Sequence, residues 1–314
     1  MKAVRVHAFD ATPVLEDVAE PRPRAGRTIV RMEAATVGHI DRTVWRGSFL
    51  KHPPFPYTPG VEAAGVVVAS ASHAEGQRVW LRGSGLGTST DGTWCELIDA
   101  PDEALGLLPD NVSMILGSAF FSPCTSAWIA LHEVAQVKAG ERLLVTGGTG
   151  AVGSITIQLA LALGAKVSAV VSSATRASTL PAGVHAVVAD GASPDVLDGL
   201  AVDVLIDTVG GPLLAATLGC VVAGGRAVLV GYTAGNQLTL DLAHFLQRDV
   251  VLLPLNMFRR EAAGRAVASE LLVRLGDGRL QLDVTTFALA EAAAALEWIT
   301  RRGHRGRAVL VPGP

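Results

Sequence analysis

The chain has 314 residues, 49% of them hydrophobic and 18% charged, with a formal net charge of −3 at pH 7. That length sets a prior of about two domains with a large core, and the apolar content excludes a disordered chain. The weak negative charge leaves no basic footprint, which argues against nucleic acid as a partner. The longest apolar runs, such as Val250 to Leu253, are too short to span a membrane.

In chain order, Met1 to Phe9 alternates as a strand does and has no signal-peptide apolar region. Short apolar segments follow at Thr28 to Glu33, Ala63 to Ala69, Arg78 to Leu81 and Trp94 to Ile98, separated by Pro and Gly, so the texture up to about residue 115 is all-β. Cys95, Cys124 and Cys220 are scattered in the manner of unpaired thiols in a reducing compartment, and cytoplasm is the expected location.

From Ser113 onward Ala/Leu-rich segments alternate with Val-rich strands, which predicts a parallel sheet covered by helices. The expected strands are Leu143 to Thr146, Lys166 to Val171, Ala186 to Val188, Val204 to Asp207, Arg226 to Val230 and Val250 to Leu253. A helix is expected at Glu261 to Leu275, another at Ala290 to Arg302, and a last strand at Ala308 to Val311.

The most informative stretch runs from Arg142 to Val171. Gly148, Gly150 and Gly153 follow the apolar run Leu143 to Val145 and open a helix, Ile155 to Leu163, before the next strand. In that setting Gly-x-Gly-x-x-Gly is a dinucleotide fingerprint: Gly148 for the turn, Gly150 for approach of backbone to pyrophosphate, Gly153 for helix-on-strand packing. Thr149, Ala151 and Val152 complete the loop, whose helix N-terminus favours phosphate. A free ribose 2′-OH is usually gripped by an acid at the end of the second strand. Here that end reads Val171-Ser-Ser-Ala-Thr-Arg176, and Ser172, Ser173 and Arg176 can donate to a 2′-phosphate instead. NADPH is therefore the expected cofactor.

Taken together, Pro56 to Val67, Asp91 to Glu96, Ser126 to Leu131, the glycine turn, Asp203 to Gly211, Gly224 to Gly231 and Gly306 to Leu310 resemble the zinc-independent quinone oxidoreductase branch of the medium-chain dehydrogenase/reductase superfamily. The resemblance covers nearly the whole chain. It implies an α/β protein, with a β-rich GroES-like catalytic domain at 1–116 and 259–314 and a Rossmann-type doubly wound parallel sheet at 117–258.

The resemblance also implies roles. Ser126 matches a Thr near the nicotinamide, and His39 a position that contacts pyrophosphate, although a structural imidazole is an equal reading. Val209 and Gly210 fall by the adenosine, while Gly231, Tyr232, Thr233, Asn256 and Phe258 border the nicotinamide, with a core role equally open for Phe258. The zinc-ligand positions of metal-dependent relatives are here Gly38, Val61 and Ser122, which offer no thiolate or imidazole, so no metal is expected. Ile40 stands where alcohol dehydrogenases relay a proton through Ser or Thr.

The implied substrate is a quinone or conjugated enone, with an enoyl thioester entering past Arg42, Arg46 and Lys51 as the alternative. A non-catalytic cofactor-binding protein is the other class. The branch's Asn and two tyrosines are replaced by Gly38, Thr43 and Phe49, leaving the proton donor open among Tyr232, Asn256, Thr43, backbone, ribose and water. Asp41 matches a family acid that orients the pocket. Trp45, Phe49 and Trp94 form either a wall for a flat substrate or core. The apolar sixth strand predicts a homodimer paired edge to edge.

Overall fold

The structure, a computed structural model, describes residues 1–189, 194–301 and 304–313. It divides into two compact units, Met1–Phe121 with Ser269–Pro314, and Ser122–Ala268.

The first unit begins with β1 (Lys2–Arg5) and β2 (Val14–Asp17), an antiparallel pair. After it come β3 (Arg27–Val37), α1 (His39–Trp45), β4 (Glu62–Ala69), β5 (Arg78–Arg82), β6 (Leu97–Pro101), β7 (Leu105–Leu107) and α2 (Met114–Ala119). Helix α1 corrects the all-β expectation. The polar side chains of Asp41, Arg42 and Thr43 interrupt strand alternation there, and Asp41 ties the helix start by accepting from Gly38 N at 2.7 Å. The strand expected at Trp94 to Ile98 also shifts: Trp94 and Cys95 lie before β6, with Cys95 forming an isolated bridge to Ala3.

Helix α3 (Phe121–Ile129) leads to the second unit, built as β8 (Arg142–Thr146), α4 (Ala151–Ala162), β9 (Lys166–Val171), α5 (Ala174–Ala177), β10 (His185–Val188), β11 (Val202–Asp207), α6 (Gly211–Leu218), β12 (Val221–Leu229), α7 (Leu242–Arg248) and β13 (Val251–Pro254). Its six-stranded sheet has the order β10-β9-β8-β11-β12-β13, every neighbouring pair parallel. The predicted strands all form. Strand β12 starts earlier, at Val221, because Gly224 and Gly225 are carried inside it across a register shift opposite Val202 and Val204. This is the strand order of a dinucleotide fold, and its reversal falls between β8 and β11, where ligands bind at the carboxyl ends of the strands.

The chain then runs through α8 (Glu261–Gly276), β14 (Val284–Ala288), α9 (Ala292–Trp298) and β15 (Arg307–Val311). In the first unit the sheet order is β14-β15-β3-β4-β5-β7, with β6 paired to β3. Strand β14 has no counterpart in the sequence reading; its polar Thr285 and Thr286 sit on an edge, exposed. The second predicted helix ends earlier, at Trp298, and Arg302 lies outside the described residues. The core of this unit gathers Met32, Leu81, Trp94, Ile98, Leu296 and Leu310.

Candidate functional site

In the second unit the glycine loop joins β8 to α4. The turn is made by Gly147, at φ +63°, rather than by Gly148. A Cβ on Gly147 would stand 2.7 Å from Thr208 Oγ1. Gly148 instead permits close packing: a Cβ there would lie 2.9 Å from Ala169 Cβ and 3.2 Å from Ile157 Cδ1. Gly150 caps α4 in extended backbone with no side-chain cap bond, so the helix's first N–H groups keep no intrahelical partner. A Cβ at Gly153 would collide with the Gly147 carbonyl oxygen, so α4 approaches β8 as closely as the fingerprint requires. Ala151 and Val152 form the first turn of α4 and are half-buried.

At the end of β9 Ser172 is exposed. Ser173 caps α5, its Oγ accepting from Arg176 N at 3.3 Å. The Arg176 guanidinium donates to Thr149 Oγ1 at 2.9 Å, which brings the basic residue against the glycine loop across 27 positions of sequence. A cradle of backbone N–H groups at a helix start, flanked by an arginine and hydroxyls, fits the phosphates of a dinucleotide.

A second set of residues braces this end of the sheet, and the sequence reading missed it. Thr146 Oγ1 donates to Asp207 Oδ1 at 2.6 Å and accepts from Thr208 N at 2.9 Å. Thr208 Oγ1 donates to Thr146 O at 2.7 Å, and Gly210 N donates to Asp207 Oδ2 at 2.8 Å. The reversal point between β8 and β11 is thereby stitched on both strands. Burial pushes the Asp207 carboxyl up, against the hydrogen bonds it accepts. The signal was present in the run Asp203 to Gly211, where Asp207 follows the apolar Val204 to Ile206 and precedes a pair of glycines.

Val209 is half-buried beside this network, and Gly210, at φ +72°, caps α6. Gly231 lies so near Thr208 that a Cβ would strike its carbonyl oxygen. Tyr232 is 63% exposed and Thr233 exposed. Asn256 Oδ1 accepts from Phe258 N at 3.0 Å and Arg259 N at 3.3 Å, shaping the turn after β13. Phe258 is 55% exposed, so it is not a core aromatic. Ser126 is nearly buried within α3.

In the first unit the candidate substrate residues gather at α1 and the turn before β4. Asp41 is buried, with Oδ2 accepting from Gly38 N at 2.7 Å and Oδ1 from Val61 N at 3.1 Å. It ties α1 to the turn before β4. Burial pushes its carboxyl up to about 7, opposed by the Gly38 hydrogen bond and reinforced by Glu62. Glu62, also buried, pairs with Arg307 at 2.7 Å and Arg82 at 3.4 Å and accepts from Thr36 Oγ1 at 3.3 Å. A Cβ on Gly38 would lie 3.2 Å from Arg307 Nη2. The guanidinium therefore crowds the place where a larger side chain would begin, a physical reason for glycine there.

His39 is exposed at the surface of the first turn. Crowding by the surrounding chain, then the positive charges of His304, Arg307 and Arg42, hold its imidazole down at about 4. The open surface weakens the crowding contribution, and the two arginines still favour the neutral ring. Ile40 and Thr43 are half-buried, and Thr43 Oγ1 donates to His39 O at 2.8 Å. Trp45 and Phe49, half-buried, pack on Val6, Val44 and Tyr57, with Trp45 Nε1 donating to Ala11 O at 2.7 Å. Trp94 departs from the pocket reading. It is 0% exposed in the main core, its Nε1 donating to Thr36 O at 2.9 Å. An indole with no open surface packs the sheet.

Among the described residues no group of three or more His, Cys, Asp or Glu side chains is placed to hold a metal ion, and no helix is long and apolar enough to cross a membrane.

This glycine loop and strand order define a dinucleotide-binding unit of the Rossmann type. Residues 24–110 match the alcohol dehydrogenase GroES-like domain and residues 151–272 the zinc-binding dehydrogenase family. The quinone oxidoreductase of Sus scrofa is 30% identical over 246 residues, covering 74% of this chain and 73% of that one. The solved quinone oxidoreductase of Pseudomonas syringae superposes with a TM-score of 0.85 at 27% identity, covering 99% of each chain. That of Thermus thermophilus, solved also in complex with NADPH, gives 0.82 at 27% identity, over 99% of this chain and 100% of that one. The chain belongs to the quinone oxidoreductase-like branch of the medium-chain dehydrogenase/reductase superfamily.

Proposed function

We propose that the protein is an NADPH-dependent reductase of quinones or conjugated enones that works without a metal. The observation that carries the cofactor half is the Arg176 guanidinium on Thr149 of the glycine loop, at the end of a strand that offers Ser172 and Ser173 in place of an acid. The loop's backbone, with His39 as a neutral imidazole, would hold the diphosphate, and Arg176 with the two serines the 2′-phosphate. Val209 and Gly210 would border the adenosine; Ser126, Gly231, Tyr232, Thr233, Asn256 and Phe258 would border the nicotinamide.

Bound NADPH supplies a hydride. The chain's own task is to orient the acceptor within roughly 3.5 Å of the donor and to meet charge growing on its oxygen. Asp41 holds the Gly38 and Val61 backbones in place, with Ile40, Thr43, Trp45 and Phe49 as the apolar and hydroxyl surroundings of the acceptor. The donor set supports metal independence: Gly38 and Val61 carry no ligand atom, and Glu62 is committed to Arg307 and Arg82.

The test is turnover of NADPH and NADH against quinones, enones and enoyl thioesters. Tenfold tighter binding of NADPH and quinone reduction that survives a chelator are expected. Equal affinity for both cofactors, or one zinc per chain with activity lost on its removal, would refute the reading.

The same reading makes the protein a cytoplasmic homodimer. The three cysteines are scattered and buried, which suits a reducing compartment. Strand β13 is paired to β12 and presents Val251 at 49% exposure with Leu252 half-buried. Such an apolar edge is a liability unless paired, and its own copy about a two-fold axis is the simplest partner. Light scattering at micromolar concentration should give twice the chain mass, and Leu252→Asp half of that.

A further inference from the structure

Tyr57 follows a segment, residues 46–56, without helix or strand. Its backbone is pinned by a reciprocal pair: Val6 N donates to Tyr57 O at 2.9 Å and Tyr57 N to Val6 O at 3.0 Å. The residue is 1% exposed and packs with Val6 and Val44, with Trp45 and Phe49 against them. Its hydroxyl is nonetheless buried without a hydrogen-bond partner. His52 Nε2 is in the same condition, on a ring whose centroid lies 4.9 Å from that of Tyr57. Phe55 and Phe9 continue the aromatic cluster, each within 5.0 Å of a neighbouring ring centroid.

Two orphaned polar atoms on adjacent aromatic rings are poor design for a core. Phenylalanine would fill the place of Tyr57 without a stranded hydroxyl, and a buried donor with no acceptor is a standing cost, relieved when an acceptor arrives. The location matters as much as the cost. The phenol belongs to the cluster that Trp45 and Phe49 cover, against Val44 of α1. Burial, and then the charge of Asp41, keep the proton on this phenol, so it can donate a hydrogen bond without giving the proton up.

We propose that the Tyr57 hydroxyl is the hydrogen-bond donor for the carbonyl oxygen of a quinone, seated among Trp45, Phe49 and His52. This rests on the reductase reading and narrows its substrate class to flat ring carbonyls, the shape that a cluster of rings accommodates best. His52 supplies the complement. Its other nitrogen meets the Pro53 backbone, which leaves Nε2 an acceptor. Reduction adds a hydride from the nicotinamide and a proton from water to the quinone, giving NADP⁺ and a hydroquinone. The oxygen thereby becomes a hydroxyl that accepts from Tyr57 and donates to His52.

The experiment is Tyr57→Phe in the full-length protein, read in three ways. Its Tm should equal or exceed that of the wild type, because an orphaned group is removed. Its affinity for 1,4-naphthoquinone, measured without cofactor by quenching of tryptophan fluorescence, should fall at least tenfold. Its kcat/KM for that quinone should fall at least tenfold, with NADPH affinity unchanged. A lowered Tm would mean that the hydroxyl is structural, and unchanged quinone affinity in a folded variant would mean that it meets no substrate. Either overturns the proposal while wild-type quinone turnover leaves the reductase reading standing. A wild type that neither binds nor reduces quinones overturns both.

Discussion

The carboxyl end of the parallel sheet and the start of α1 are both rich in buried polar atoms, and they treat them in opposite ways. Around β8 and β11 every group has a protein partner: Thr146, Asp207, Thr208 and Gly210 satisfy one another, and Thr149 accepts from Arg176. Around α1, Asp41 and Glu62 are fully committed, yet Tyr57 OH and His52 Nε2 are stranded among aromatic rings. A site that reads backbone and phosphate can be rigid and internally complete, because its ligand meets N–H groups that a helix start leaves over anyway. A site that must grip one oxygen of a small molecule keeps side-chain donors in reserve, at a cost in stability.

The sharpest way to break this contrast is at the rigid end. Gly153→Val should force α4 away from Gly147, costing about 3 kcal/mol of stability and weakening NADPH binding by roughly 100-fold. Chemical denaturation and cofactor titration read the two effects, and a valine variant that binds NADPH normally would show that the close approach is not needed. In the first unit, Arg307→Met removes the nearer partner of buried Glu62. About 3 kcal/mol should be lost, the low end for a broken buried pair because Arg82 remains.

Asp41 gives a pH signature. Its folded pKa of about 7 lies above the ordinary aspartate value of 3.8, so between those values the folded state holds a proton that the unfolded state has released. Stability from this group is full below about pH 4 and is lost as pH rises through about 7, by about 4 kcal/mol. Wild type minus Asp41→Asn, followed by urea denaturation from pH 4 to pH 8, should show that decline; a flat difference would mean that the carboxyl is ionised throughout. The smallest effect is at the cofactor's flank, where Arg176→Ala should erase most of a preference for NADPH worth about 1.4 kcal/mol. Paired dissociation constants for NADPH and NADH check it.

Legibility in the sequence followed the same division. Strands β8, β9, β11, β12 and β13 were readable because strands buried on both faces spell continuous apolar runs, and their glycine punctuation marks the turns. Assigning the turn to Gly148 failed by one residue: consecutive glycines look alike in sequence, and only φ and the neighbouring Ala169 and Ile157 separate the one that turns from the one that packs. Helix α1 was missed because seven residues are too few for a helical period to stand out among strands. Trp94 was open between wall and core because both draw on the same residue types.

Sequence by itself determined the class of fold and the place of the glycine cradle, since each depends on residue identity at short spacing. Tertiary structure alone decided which distant groups meet. Arg307 reaches Glu62 across 245 positions and crowds Gly38, Arg176 reaches Thr149, and Tyr57 ends without a partner in an aromatic cluster. Burial and partnership are properties of folded neighbours, and a hydroxyl's satisfaction cannot be read until the chain has chosen what surrounds it.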